Sequence, residues 1–229
     1  MPAHKVTIWE KILSYFVDIK IETVYSEVNS SLDVVLVKGR FQLNSANATY
    51  SYEDLYNSYG SALKKISSFI AGSEDKKEKV QSVLVLGLGL GSIPYMLQIK
   101  YDVDCVINCV EIDPVVINLA EKYYPNKTGL HKLLVDEADA YDWVLKNEKK
   151  FDLITVDLFV DRNVPKKLHR KEFIEGLKKA VAENGIILFS RLKSNKDLEY
   201  ILWDNLFEVF KGGEDIETMG NAIYYWKNK

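Results

Sequence analysis

Four β-favouring residues, Val83 to Leu86, run into Gly87, Gly89 and Gly91, and the chain continues as the helix-forming SIPYMLQIK. A strand that opens through glycines into a helix is the first turn of a β-α-β unit, and the same alternation recurs downstream. Apolar, β-rich runs at DCVINCVEI, HKLLVDE, FDLITVDLF and GIILFSRL alternate with helical patterns at PVVINLAEKYY, ADAYDWVLKN and RKEFIEGLKKAVAEN. Each crossover returns the chain in the same direction, so the expected fold is α/β, a mostly parallel sheet covered by helices on both faces. A further helix near Lys196 to Phe210 and two strands, DIETMG and NAIYYWKN, predict an antiparallel hairpin at the C-terminal end. In such sheets ligands bind outside the carboxyl ends of the strands, where Gly87, Gly89 and Gly91 lie. A dinucleotide, a phosphate and an adenosyl sulfonium are the candidates, beside a plain strand-to-helix turn. Ser92 stands where the third glycine of G-x-G-x-x-G belongs, which weakens the dinucleotide, and no Gly-Lys-Ser/Thr follows, which excludes a Walker phosphate loop.

The second strand ends in an acid. Glu111 lies 20 residues past Gly91, where a carboxylate accepts hydrogen bonds from both ribose hydroxyls and disfavours a phosphorylated ribose. Asp139, after the third strand, is placed to accept from an exocyclic adenine amine. Together these residues describe a pocket for adenosine.

The N-terminal part reads differently. Ile8, Ile12, Leu13 and Phe16 form a helical stripe. IKIETVYSEV, LDVVLVKG and RFQLNS read as short strands, with Lys38-Gly39 a tight turn, and SYEDLYNSYGSALKKISSFI as a helix. The charged, aperiodic AGSEDKKEK is the expected seam, giving an extension over 1–78 and a nucleoside-binding domain over 79–229. The first twenty residues carry Glu10, Lys11 and Asp18, so neither a signal peptide nor a membrane span is expected, and the cytoplasm is the expected compartment. Cys105 and Cys109 are expected as buried thiols of one strand, too far apart to bridge. A formal net charge of −3 argues against general nucleic-acid binding. His4, His131 and His169 show no metal-ligand spacing, so no metal is expected. His169 and the basic PKKLHRK around it are expected at the surface.

VLVLGLGLG, CVEIDPVVINLAEKYY, DEADAYDWV and FDLITVDLFVDRNVPKKLHRKEF, in this order, resemble the spermidine synthase-like branch of the S-adenosylmethionine-dependent, class I methyltransferase fold. The resemblance extends from about Ser31 to Trp226. It takes in Asp157, Pro165, Leu168, Glu172 and Phe173, and an N-terminal hairpin piece, LDVVLVKGRFQLNSANATYSYEDLY, that covers the site and helps form a homodimer. It implies aminopropyl transfer from decarboxylated S-adenosylmethionine to an amine. Asp157 would be the base or amine-orienting acid and Tyr52 would position the amine. Gln42, Gly87, Gly89, Gly91, Glu111, Asp139 and Ala140 would hold the co-substrate.

The chain departs from the family pattern at the amine. Leu90 stands where the family carries an Asp that contacts the aminopropyl ammonium, and Glu53 replaces a Gln. Leu158, Phe159, Val160 and Asp161 replace Ser-Ser-Asp-Pro. Three readings follow. One is aminopropyl transfer with a rearranged amine pocket built on Asp157, Asp161 and Glu53. Another is methyl transfer from intact S-adenosylmethionine. In the third, the chain is a non-catalytic nucleoside-binding homologue.

Overall fold

The computed structural model describes residues 6–72, 79–192, 196–218 and 221–229. The expected boundary at residue 78 and His4 lie outside the described residues.

The N-terminal sheet takes β1 (Ile19–Val24), β2 (Leu32–Val37), β3 (Arg40–Asn44) and β4 (Thr49–Ser51), antiparallel in that order. Lys38 and Gly39 turn between β2 and β3 with φ of 50° and 76°, the left-handed backbone that a two-residue hairpin needs. The segment expected as one helix from Ser51 to Ile70 is broken. A short 3-10 turn at Glu53–Leu55 leads to α2 (Asn57–Lys65), and α3 (Ser67–Ala71) follows a non-helical Ile66. Before all of these, α1 (Ile8–Leu13) starts with a capping box between Thr7 and Glu10. The expected apolar stripe is not buried: Ile8, Ile12, Leu13 and Phe16 are all exposed, Phe16 at 84 %, and Trp9 beside them is 79 % exposed.

The larger sheet has seven strands. Five are parallel: β5 (Val83–Leu86), β6 (Ile107–Glu111), β7 (Leu133–Glu137), β8 (Phe151–Val156) and β9 (Val181–Leu192). The antiparallel β11 (Asn221–Lys227) and β10 (Glu214–Glu217) complete the order β10-β11-β9-β8-β5-β6-β7. The expected C-terminal hairpin is present. The intervening helices are α4 (Ser92–Lys100), α5 (Pro114–Tyr123), α6 (Ala140–Lys146), α7 (Lys171–Ala180) and α8 (Lys196–Val209). Helix α7 ends at Ala180, four residues before its expected limit at Asn184, because 181–184 already belong to β9.

Val83 to Leu86 are all fully buried, as a central parallel strand covered on both faces requires. Val83 and Val85 face a core shared with Tyr59 and Leu63 of α2 and Met96 and Leu97 of α4. Leu84 and Leu86 face one shared with α6, α7 and α8. Helix α2 thus packs on the larger sheet. The small sheet meets α5 in a third core, where Leu32, Val34 and Leu43 contact Leu90, Val116 and Leu119. Cys109 is a buried strand thiol, whereas Cys105 precedes β6 and is half-buried, and both are free.

Candidate active site

The order of strands reverses between the parallel neighbours β5 and β8, and a cavity of about 730 Å³ opens at their carboxyl ends. It lies at the joint of the two sheets. Gly87, Leu88 and Gly89 come from the turn after β5, Glu111 and Ile112 from the end of β6, and Asp139 and Ala140 from the start of α6. Asp157 to Arg162 follow β8, and Tyr50, Tyr52 and Tyr56 close the side next to the small sheet.

Each glycine admits a neighbour from this chain. A Cβ on Gly87 (φ +91°) would stand 2.3 Å from the Asp157 carbonyl oxygen, and one on Gly91 (φ +85°) 2.6 Å from the Tyr124 ring. At Gly89 (φ +53°) it would crowd Ser51 and the Tyr50 carbonyl, so that glycine lets β4 cross the turn. Ser92, in place of a third glycine, holds the same crossing: its hydroxyl bonds the Ser51 hydroxyl and accepts the Tyr52 N–H. Gly87 and Gly89 border the cavity, whereas Gly91 caps α4 from outside it.

Glu111 borders the cavity and accepts the backbone N–H groups of Leu88, Ile112 and Asp113 at 2.9–3.0 Å, which locks the β5 and β6 strand ends together. Burial raises its pKa, and those three donors partly restore the charged form. Asp139 caps α6 by accepting the Tyr141 N–H and pairs with Lys167. Lys167, expected on a solvated basic face, therefore belongs to the cavity wall. His169, also expected at the surface, is 7 % exposed, its Nε2 at 3.1 Å from the Val164 carbonyl.

Asp157 follows β8 directly. The Tyr56 hydroxyl donates to its Oδ2 at 2.7 Å. Tyr59, one turn on, donates to the Val156 carbonyl, pinning α2 beside that carboxylate. Asp157 Oδ1 is buried and has no hydrogen-bond partner among the described residues. Burial pushes the Asp157 pKa up to about 6, while the Tyr56 hydroxyl bond, with Ser190 nearby, partly favours the charged form. A carboxylate that titrates near neutrality, with one oxygen held and the other unmet, suits binding an ammonium or taking a proton from one.

The remaining expected residues divide. Tyr52 borders the cavity, its hydroxyl 3.4 Å from the Val37 carbonyl, while Asp157 is met by Tyr56. Gln42 does not border the cavity: its amide bonds Asn44 and Thr49 within the small sheet. Leu90 is 2 % exposed in the core between the sheets. Asp161 stands at the cavity mouth, where Ser45 Oγ and the Asn47 backbone and side-chain N–H groups bind its carboxylate.

Glu53 also turns away, accepting the Phe41 N–H at 2.7 Å with its own φ at 40°. Burial pushes its pKa up to about 7. A carboxyl raised in the fold favours folding while the unfolded chain is also protonated, and that stability is lost as pH rises from about 4.5 through 7. Glu53→Gln keeps an acceptor for Phe41 and removes the buried charge. It is expected to gain about 2 kcal/mol at pH 8, a melting-point rise of about 4–8 °C, and nothing near pH 4.5. Thermal denaturation at the two pH values checks this.

Sequence reasoning missed the bonds that Ser92 makes, and missed Tyr56, Asn29 and Tyr50 altogether. The last two belong to a relay across the joint: the Tyr50 hydroxyl donates to Asn29 and accepts the Asp161 N–H, while Asn29 and Ser26 donate to the buried Asp113.

The spermine/spermidine synthase domain model matches residues 65–203. A polyamine aminopropyltransferase of Vibrio vulnificus is 28 % identical over 150 residues, which are 63 % of this chain and 50 % of that protein. The matched stretch thus spans half the length of that relative. Spermidine synthase from Thermotoga maritima superposes with a TM-score of 0.71 at 18 % identity, covering 92 % of this chain and 73 % of its own. A spermidine synthase in complex with the transition-state analogue AdoDATO gives 0.69 at 18 % identity over 92 % of this chain and 74 % of that one. The structural likeness establishes the fold, a class I methyltransferase-like α/β sheet.

Proposed function

The chain belongs to the spermine/spermidine synthase family, and on that premise we propose that it transfers the aminopropyl group of decarboxylated S-adenosylmethionine to an amine. Asp157 carries this reading, as a carboxylate with an unmet oxygen on the wall of a cavity sized for a nucleoside and a small acceptor. In the reaction the acceptor nitrogen attacks the carbon bonded to sulfur, the C–S bond breaks, and its electron pair leaves on a neutral thioether, methylthioadenosine. Asp157 orients the amine and takes the proton that the new N–C bond acidifies. Glu111, already fixed by three backbone donors, keeps lone pairs for the ribose hydroxyls, and Asp139 and Ala140 form the adenine end.

A second reading, methyl transfer from intact S-adenosylmethionine, draws support from Leu90. A leucine there supplies no carboxylate to attract the aminopropyl ammonium or to repel the carboxylate of the intact ligand, and its side chain lies in the core between the sheets and not on the cavity wall. The deciding measurement is product analysis with each adenosyl ligand and a panel of amines, alongside calorimetric binding of both ligands. Methylthioadenosine from the decarboxylated ligand supports the first reading, and S-adenosylhomocysteine from the intact one the second. Binding without either product leaves a nucleoside-binding homologue.

We assign the protein to the cytoplasm, in keeping with two free cysteines, and among the described residues no helix is long and apolar enough to cross a membrane. The apolar face of α1 is assigned to a homodimer contact, since patches of this kind are rarely left to water. Trp9→Glu with Phe16→Glu is expected to convert a dimer to a monomer in sedimentation equilibrium, with the melting point of the monomer unit little changed.

A further inference from the structure

The acids on the cavity wall differ in what they have left to offer. Four of them, Glu111, Asp139, Asp157 and Asp161, border it. Glu111 holds three backbone N–H groups. Asp139 holds the Tyr141 N–H and is neutralised by Lys167. Asp161 has donors on both oxygens, from Ser45 and Asn47, and Arg162 stands next to it on the same wall. Only the Asp157 carboxylate combines a place on the wall with a buried oxygen that nothing among the described residues satisfies.

The stretch of wall that follows Asp157 is apolar, while polar groups elsewhere on the wall, such as Asn57, Ser58 and Asn221, carry no charge. Leu158, Phe159 and Val160 continue from Asp157, and Ile93 and Leu168 add to the surface. A diamine in this space has one ammonium at Asp157 and a second that must compete for a carboxylate already committed within the chain, Asp139 to Lys167 and Asp161 to Ser45 and Asn47 with Arg162 beside it, or else face hydrocarbon. An ammonium moved from water to such a surface without a partner costs several kcal/mol, whereas an alkyl or aryl group there gains from burial.

We propose that the acceptor is a monoamine with an apolar body, held by a single ionic contact at Asp157, rather than a diamine. The inference rests on the transferase reading and concerns only its acceptor. The chemical step is unchanged: the lone amine attacks the carbon on sulfur, the thioether leaves, and one proton passes to Asp157.

The test compares n-hexylamine with 1,6-diaminohexane, a pair of equal length that differs by the second amine, with putrescine and 2-phenylethylamine alongside. The full chain is supplied with decarboxylated S-adenosylmethionine, and methylthioadenosine and the alkylated amine are quantified. The expected result is a kcat/KM for hexylamine at least about tenfold above that for the diamine, the equivalent of about 1.4 kcal/mol. Phe159→Asp, which puts a carboxylate on the apolar wall, is expected to shift the ratio at least about tenfold toward the diamine. A wild-type preference for either diamine overturns this inference and leaves the transferase reading standing. Adenosyl-ligand binding with no product from any amine also overturns it. Neither binding nor product overturns the transferase reading together with it.

Discussion

Asp157→Asn is expected to lower turnover by about 10²–10⁴-fold, the range for loss of a positioned general base, while adenosyl-ligand affinity stays within about threefold. The substitution keeps the shape and an acceptor for the Tyr56 hydroxyl, so α2 stays anchored; Tyr59, bonded to the Val156 carbonyl, holds it independently. What is lost is the negative charge and the capacity to take a proton. The pH profile separates this role from a merely structural one. With the Asp157 pKa near 6, wild-type kcat/KM is expected to fall as pH drops through that value, because a protonated carboxyl neither attracts an ammonium nor accepts its proton. The residual activity of the Asn variant is expected to lack that limb. Undiminished turnover by the variant would remove Asp157 from the chemistry.

Leu90→Asp is expected to destabilise the protein by about 3–5 kcal/mol without creating a diamine site. On sequence alone, this change restores the acid that the family motif carries there. In the structure the side chain sits at 2 % exposure among Leu32, Val34, Leu43, Val116 and Leu119, and the cavity wall does not include it. A carboxylate placed there loses the burial of a leucine and gains no cationic partner in that cluster. Chemical denaturation reads the loss as a lower midpoint at unchanged slope. A variant of wild-type stability that begins to use putrescine would show that position 90 addresses the cavity after all.

The parallel sheet was legible because its strands are buried on both faces and separated by helices of ordinary length. Four consecutive apolar residues in β5 suffice to show it. The ends of β5, β6 and β8 could likewise be read, and with them Gly87, Glu111 and Asp157. What each glycine avoids was not legible. Its partner, whether the Asp157 carbonyl, the Tyr50–Ser51 backbone or the Tyr124 ring, is brought in by tertiary folding from elsewhere in the chain. Tyr56 was hidden for a related reason: the segment reads as one continuous helix, and only the break after Leu55 turns that tyrosine toward Asp157. Glu53, Asp161 and Lys167 carry the right charges for an amine or nucleotide site, yet their charges are directed at Phe41, at the 45–47 loop and at Asp139. Residue type alone does not tell a charge used for assembly from one left for a ligand.

The passage of β4 across the bare backbone of Gly89 also bears on how the protein is made. The small sheet leaves the ribosome first, yet Leu32, Val34 and Leu43 are covered by Leu90, Val116 and Leu119, which are synthesised later. Until they emerge, the nascent hairpins carry an uncovered apolar face, the kind of surface that chaperones hold and that aggregates when they do not. The candidate active site is completed later still, when β8 brings Asp157 to the Tyr56 that has been waiting for it.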